Sequence, residues 1–296
     1  MKQIFLFTLL AALVGCHQDP AVPDSIIPAT CQLGMIETIN EGAFTRLTTF
    51  YNPFGSIVKQ SYQSFENQVI KSGWDAEYSY DADRYLISYG QTPTGTGTPV
   101  RETYSYEGDP KRLRQAQRTG PAGSQTTDYT YAGNNVSAIT VKTSAGTSTY
   151  TFGTDGRLTS ATVASVSAVS VSGGKIRQQT YPNGTSVNYE YDTDGQLLRR
   201  DSSWAGGNKI QENYTYDKQP FAENANLRQR GWPIVDLGYR LRVNNDLTFS
   251  RQRFTNGVQT GQEIYRNQHE YNKGGYSRGF SVTDGYRTKY YYTNCP

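Results

Sequence analysis

Histidine is almost missing from this sequence. His17 and His269 are the two present, so acid–base or triad chemistry has little imidazole to draw on, and His269 takes the place of a tyrosine in a recurring phrase, which marks it as a half-buried sheet residue. No Gly-x-Ser-x-Gly, His-Glu-x-x-His or Gly-x-x-x-x-Gly-Lys-Ser/Thr phrase occurs. Aliphatic residues are scarce as well: hydrophobic residues make up 35% of the chain and the mean hydropathy is -0.68. Long apolar stripes of 3.6-residue period are lacking, which argues against a helical bundle. Past the N-terminus no apolar run is long enough to cross a bilayer as a helix. An excess of one charge is lacking too. Taking residues 1–15 away removes Lys2 from the 29 basic residues and nothing from the 26 acidic ones, leaving 28 against 26. So even a balance gives no concentrated basic field and argues against nucleic acid as a partner.

What the chain has in quantity is tyrosine and glycine, 24 and 29 of its 296 residues. With threonine also abundant, this composition favours sheet, and tyrosine rings must supply much of the buried area. The first residues, "MKQIFLFTLLAALVGC", combine a basic Lys2 with an apolar run from Ile4 to Val14, the layout of a signal peptide. The run ends in Leu13-Val14-Gly15-Cys16, which resembles the lipobox of bacterial lipoproteins. That resemblance implies cleavage before Cys16, lipidation of Cys16, and attachment to the membrane through acyl chains. The expected localisation is export with a lipid anchor in the outer membrane, at its periplasmic face or the cell surface. Residues 16–30 carry three prolines and no strand pattern, the composition of a tether, and Asp24-Ser25-Ile26 within it resembles the O-glycosylation site of Bacteroidota. Cys31 and Cys295 remain. In an oxidising compartment they are expected to pair and tie the first strand to the last, contributing roughly 5 kcal/mol at most in the chain-entropy model.

Residues 31–296 form the repeat domain. Its phrase is aromatic, small polar, aromatic, polar turn, aliphatic: "YSYDADRYL" from Tyr78, "YSYEGDPKRL" from Tyr104, "YTYAGNNVSAI" from Tyr129, "YTFGTDGRL" from Tyr150, "YEYDTDGQL" from Tyr189 and "YTYDKQPF" from Tyr214. Weaker copies are "TFYNPFGSI", "VSVSGGKI" from Val169 and "HEYNKGGYS". Counting Val169, successive starts between Tyr78 and Tyr214 lie 19 to 26 residues apart, room for a hairpin and its turns. Tyrosines at i and i+2 share one face of a strand, while Ser79, Ser105, Thr130, Thr151, Glu190 and Thr215 take the other. Asp192 to Gly195 has the make-up of a type I turn closed by a left-handed glycine, and Leu197 opens the returning strand. The expected fold is all-β: successive antiparallel hairpins in one elongated, twisted or curled meander, since a lone hairpin cannot bury its own face.

These phrases resemble the YD-repeat proteins, whose unit reads Tyr-x-Tyr-Asp-x-x-Gly-Arg-Leu; "YEYDTDGQLLRR" and "YTFGTDGRL" carry the closest match. Large members, the Rhs, teneurin and Tc-toxin proteins, build shells around a toxin or present adhesive surfaces. With its lipobox and terminal cysteine, this chain is similar to small YD-like lipoproteins of Bacteroidota. Candidate chemistry beyond the repeat is thin. Asp192-x-Asp194-Gly195 has the alternate carboxylates of a calcium loop, but arginines follow where a bidentate acid is needed, so a plain turn is expected. No metal and no cofactor is expected. The tryptophans Trp74, Trp204 and Trp232, taken as lying outside the tyrosine register, are the candidate ligand-binding residues. The functional expectation is a surface-anchored binding or structural module without catalysis. The alternatives are an accessory glycan-binding or glycan-processing protein and a component related to a YD-repeat toxin system, so that carbohydrate or another surface protein is the expected partner.

Overall fold

A computed structural model describes residues 32–40, 43–220, 244–271, 277–282 and 287–293. These form one 20-stranded sheet. Its strands are β1 (Gln32–Asn40), β2 (Ala43–Tyr51), β3 (Ile57–Glu66), β4 (Val69–Tyr80), β5 (Leu86–Pro93), β6 (Val100–Glu107) and β7 (Arg112–Gly120). They continue as β8 (Gly123–Ala132), β9 (Asn135–Thr143), β10 (Gly146–Phe152), β11 (Leu158–Thr162), β12 (Ala168–Ser172) and β13 (Lys175–Thr180). The last are β14 (Ser186–Tyr191), β15 (Leu197–Trp204), β16 (Asn208–Pro220), β17 (Asn244–Thr255), β18 (Val258–Tyr271), β19 (Ser277–Val282) and β20 (Arg287–Thr293). The paired strands are antiparallel, and chain neighbours share a ladder as a meander requires, from β1 to β11 and again from β12 to β20. The sheet also curls back on itself, because β20 pairs with β1 from Gln32↔Thr293 to Ile39↔Arg287. A barrel-like ring results, thinnest where β11 meets β12.

The repeated phrase becomes a bulged hairpin. In six units the second aromatic position faces the aliphatic that opens the returning strand, and the register then slips by one residue: Tyr80↔Leu86, Tyr106↔Leu113, Tyr131↔Val136, Phe152↔Leu158, Val171↔Ile176 and Tyr191↔Leu197. The extra residue sits on the returning strand. As a result the inward residues there are three apart rather than two: Leu86 and Tyr89, Leu113 and Ala116, Val136 and Ile139, Leu158 and Ala161. Leu86, Leu113, Val136, Ile139 and Leu158 are all buried.

A hydrogen bond repeats with the bulge. The second tyrosine of a unit donates its hydroxyl to the main-chain carbonyl of that aliphatic residue or its equivalent on the preceding strand: Tyr51 to Leu33, Tyr80 to Ile57, Tyr106 to Leu86, Tyr131 to Leu113 and Tyr216 to Leu197, all at 2.7 to 2.8 Å. Ring burial and a partner for the hydroxyl are thereby met together, the condition for burying tyrosine at low cost. Tyr104, Tyr129, Tyr150 and Phe152 pack with Leu113, Ile139, Leu158 and Ile176 in the main apolar cluster. A second cluster joins Leu33 to Tyr290 where the ring closes. Each fully buried aliphatic contributes about 2 kcal/mol from area alone.

The two faces differ as the phrase predicts. Ser79, Ser105, Thr130, Thr151, Glu190 and Thr215 are exposed on the outside. The outer face also carries the pairs Lys142 with Asp128 at 2.9 Å and Arg199 with Asp201 at 2.7 Å. Five-residue turns at Asn52–Ser56, Asp81–Tyr85, Gly153–Arg157 and Asp192–Gln196 stand at one rim, here the tyrosine rim. Chain entry to β1 and exit from β20 lie at the same rim, since Gln32 faces Thr293.

Candidate functional site

Around most of the ring the inner face is aliphatic and aromatic near the tyrosine rim, with single polar residues beyond it, among them Thr49, Gln60, Thr127, Gln179 and the pair Glu102 and Arg118. Over β15 to β18 it changes. The position three after the opening aliphatic, held by Tyr89, Ala116, Ile139 or Ala161 in four other units and by Gln60 or Gln179 in two, is Arg200 after Leu197. Cross-strand registers then set Arg200 opposite Glu212, Glu212 opposite Arg251, and Arg251 opposite Glu263. One rung across four strands thus alternates in charge.

The side chains meet as the registers dictate. Glu212, with a side chain only 7% exposed, accepts from Arg200 Nη1 at 3.2 Å and from Arg251 Nη2 and Nε at 2.8 and 3.1 Å. Glu263 lies 3.8 Å from Arg251 Nη1 and 2.6 Å from Arg253 Nη2. Burial of the Arg251 guanidinium works against its charge, and the Glu212 carboxylate more than offsets it, so Arg251 is held firmly cationic. A next rung is aromatic: Tyr214, Phe249 and Tyr265 follow one another at 5.3 and 5.8 Å between ring centroids, and the Arg251 guanidinium lies 5.3 Å from the Phe249 centroid. Toward the rim opposite the tyrosines, the rung above the charges holds Ser202, Ile210 and Arg253, and the rung above that holds Trp204 and Asn208.

Trp204 therefore shares the inner face with the arginines. Its side chain is 40% exposed. Trp74 differs from the expectation that it breaks the register: it stands in phase with Ala76, Tyr78 and Tyr80, opposite Tyr62, and its ring stacks on Tyr62 at 5.7 Å and 18°. The reason is strand length. β4 is 12 residues long and carries the inward row past the Tyr-x-Tyr pair toward the opposite rim. Trp74 and Trp204 sit on β4 and β15, remote from each other in strand order. Trp232 lies outside the described residues, as do Cys16, Cys31 and Cys295.

The acidic turn resolves into structure. Asp192 accepts from the Gln196 main-chain N–H at 2.7 Å through Oδ1, its own N–H reaches Gln196 O at 2.9 Å, and Gly195 adopts φ +81°. This is a side-chain-capped turn. Among the described residues, no three His, Cys, Asp or Glu side chains gather as metal ligands would. His269 faces inward, half-buried, 5.3 Å from the Phe280 ring. Sequence reasoning missed Arg200, Glu212, Arg251, Arg253 and Glu263. Each alone reads as a solvated strand residue, and the only signal was a charge at Arg200, a position that is uncharged in the other units.

No family model matches the chain, and no curated relative matches it. Among solved structures, a porin-like protein from Bacteroides vulgatus is 13% identical, with 88% of this chain and 98% of that chain covered at a TM-score of 0.40. A porin-like protein from Bacteroides uniformis is 12% identical, with 88% and 96% covered at 0.38. The structure of TcdB2-TccC3-TEV is 13% identical, with 81% of this chain and only 14% of that chain covered at 0.41.

Proposed function

We propose that this is an exported, lipid-anchored binding module without catalysis, its ligand held on the inner face over β15 to β18. What supports the non-catalytic reading is the state of the inward carboxylates. Glu102 takes the Tyr104 hydroxyl at 2.6 Å and Arg118 at 3.2 Å; Glu212 and Glu263 are held by arginines. General acid or nucleophile roles need a carboxylate facing the substrate, not one locked by fixed cations. The polar outer face supports attachment through acyl chains, because a barrel in contact with lipid carries an apolar outward band of about 25 Å. Saturable retention of a glycan or surface protein by the soluble domain starting near residue 31, with no product released, is the expected result; turnover of the retained ligand would reject the reading. Replacing Cys16 by Ala should abolish palmitate labelling and membrane fractionation, and unchanged labelling would exclude the anchor.

Glycan handling is the second reading, favoured by one observation: Trp204 presents an open indole on the face that carries the arginines. The stacked rings elsewhere turn their faces to one another, as Tyr62 and Trp74 do, and leave little flat surface for a sugar.

A further inference from the structure

We infer that the face formed by Trp204, Arg253, Arg251 and Arg200 binds an acidic oligosaccharide, a chain bearing uronate-type carboxylates; this rests on the binding-module reading above. The cluster sets three guanidinium groups against the two carboxylates Glu212 and Glu263, so it carries net positive charge. Arg200, Arg251 and Arg253 keep side-chain exposures of 43, 35 and 47%. Each guanidinium has five donors in a planar fork. Arg200 gives one to Glu212, and Arg251 directs Nε and Nη2 to the same carboxylate, which leaves donors suited to a carboxylate from outside.

The placement of Glu212 fits a positioning role. Its carboxylate is buried at the centre of the rung, and burying a charge costs several kcal/mol that an apolar residue of similar volume avoids. The equivalent position is apolar in Ala76 and Val187, both buried, and is a second inward acid in Glu102, which takes only one arginine. Here the buried acid holds two arginines on one rung. The sugar character comes from Trp204. Two rungs separate it from Arg200 along β15, about 13 Å at the usual strand rise, which exceeds one sugar ring and calls for an oligomer. Arg253 and Ser202 lie on the rung between and Asn208 stands opposite Trp204, offering a cation and polar groups to a chain whose ring covers the indole.

The experiment is calorimetric titration of the soluble domain with an oligogalacturonate, its methyl ester, a neutral oligosaccharide of equal length and polyglutamate, at low and high salt. Expected is saturable, salt-weakened binding of the oligogalacturonate, at least tenfold tighter than the other three. Arg253→Gln and Trp204→Ala should each weaken it tenfold or more while circular dichroism and melting midpoint stay at parent values. Arg253→Lys should recover only part of the loss. Equal binding of the methyl ester or the neutral sugar overturns the acidic specificity, and equal binding of polyglutamate overturns the saccharide. Tight binding that both variants retain places the site elsewhere and overturns the assignment. No binding of the oligogalacturonate overturns the inference alone; the module reading fails separately, when a broad panel of glycans and surface proteins retains no ligand.

Discussion

Leu197 and Leu198 are neighbours in sequence and opposites in the fold. Leu197 is 3% exposed and sits beneath Tyr191, while Leu198, the extra residue of the bulge, is 39% exposed. Leu197→Ala should therefore cost about 3 kcal/mol and Leu198→Ala less than about 0.5 kcal/mol, a contrast that denaturant melts of the two variants measure. Tyrosine has a similar division within one side chain. The ring of Tyr106 packs on the inner face, and its hydroxyl closes on Leu86 O. Tyr106→Phe keeps the first and loses the second, for an expected loss of about 1 kcal/mol; an unchanged midpoint would mean that the hydroxyl bond adds nothing over water. The inward direction of these rings was legible from i, i+2 spacing. The hydroxyl partner was not, because it is a main-chain carbonyl on another strand and leaves no mark in side-chain pattern.

At the level of the hairpin, turn chemistry was the most legible feature and strand phase the least. Asp192 and Gly195 do what their types foretell, so Asp192→Ala and Gly195→Ala should each destabilise by about 1 kcal/mol, the first through the lost cap and the second through strain at φ +81°. Hydrogen exchange at Gln196, whose N–H is capped, should quicken in Asp192→Ala before the rest of β14 and β15 responds. The bulge was written in the sequence as a three-residue step, Leu113 to Ala116 or Val136 to Ile139, but strict alternation hides such a step. Trp74 was misplaced for a related reason: the inward row extends beyond the Tyr-x-Tyr pair that defined it, through Ala76 to the opposite rim.

For the molecule as a whole, the buried tyrosines set an alkaline limit. Burial, then the Glu102 charge, pushes Tyr89 up to about 12, and burial raises Tyr78, Tyr104 and Tyr129 as well. A raised folded-state value means that the stabilisation is complete below the unfolded value of about 10 and is lost as pH rises above it. Tyrosinate absorbance should thus rise in two stages, exposed rings first and core rings together with unfolding; smooth titration of every tyrosine without loss of sheet would contradict the core assignment. All-β hairpins were legible at this scale, whereas ring closure and the charged rung were not, since β1 meets β20 from the far end of the chain and Arg200, Glu212, Arg251 and Glu263 meet only through the registers of four successive strands. The pairing of Gln32 with Thr293 has a mechanical consequence. Because both ends leave from one rim, a pull between them opens β1 from β20 one bond at a time, like a zipper, rather than shearing many bonds together.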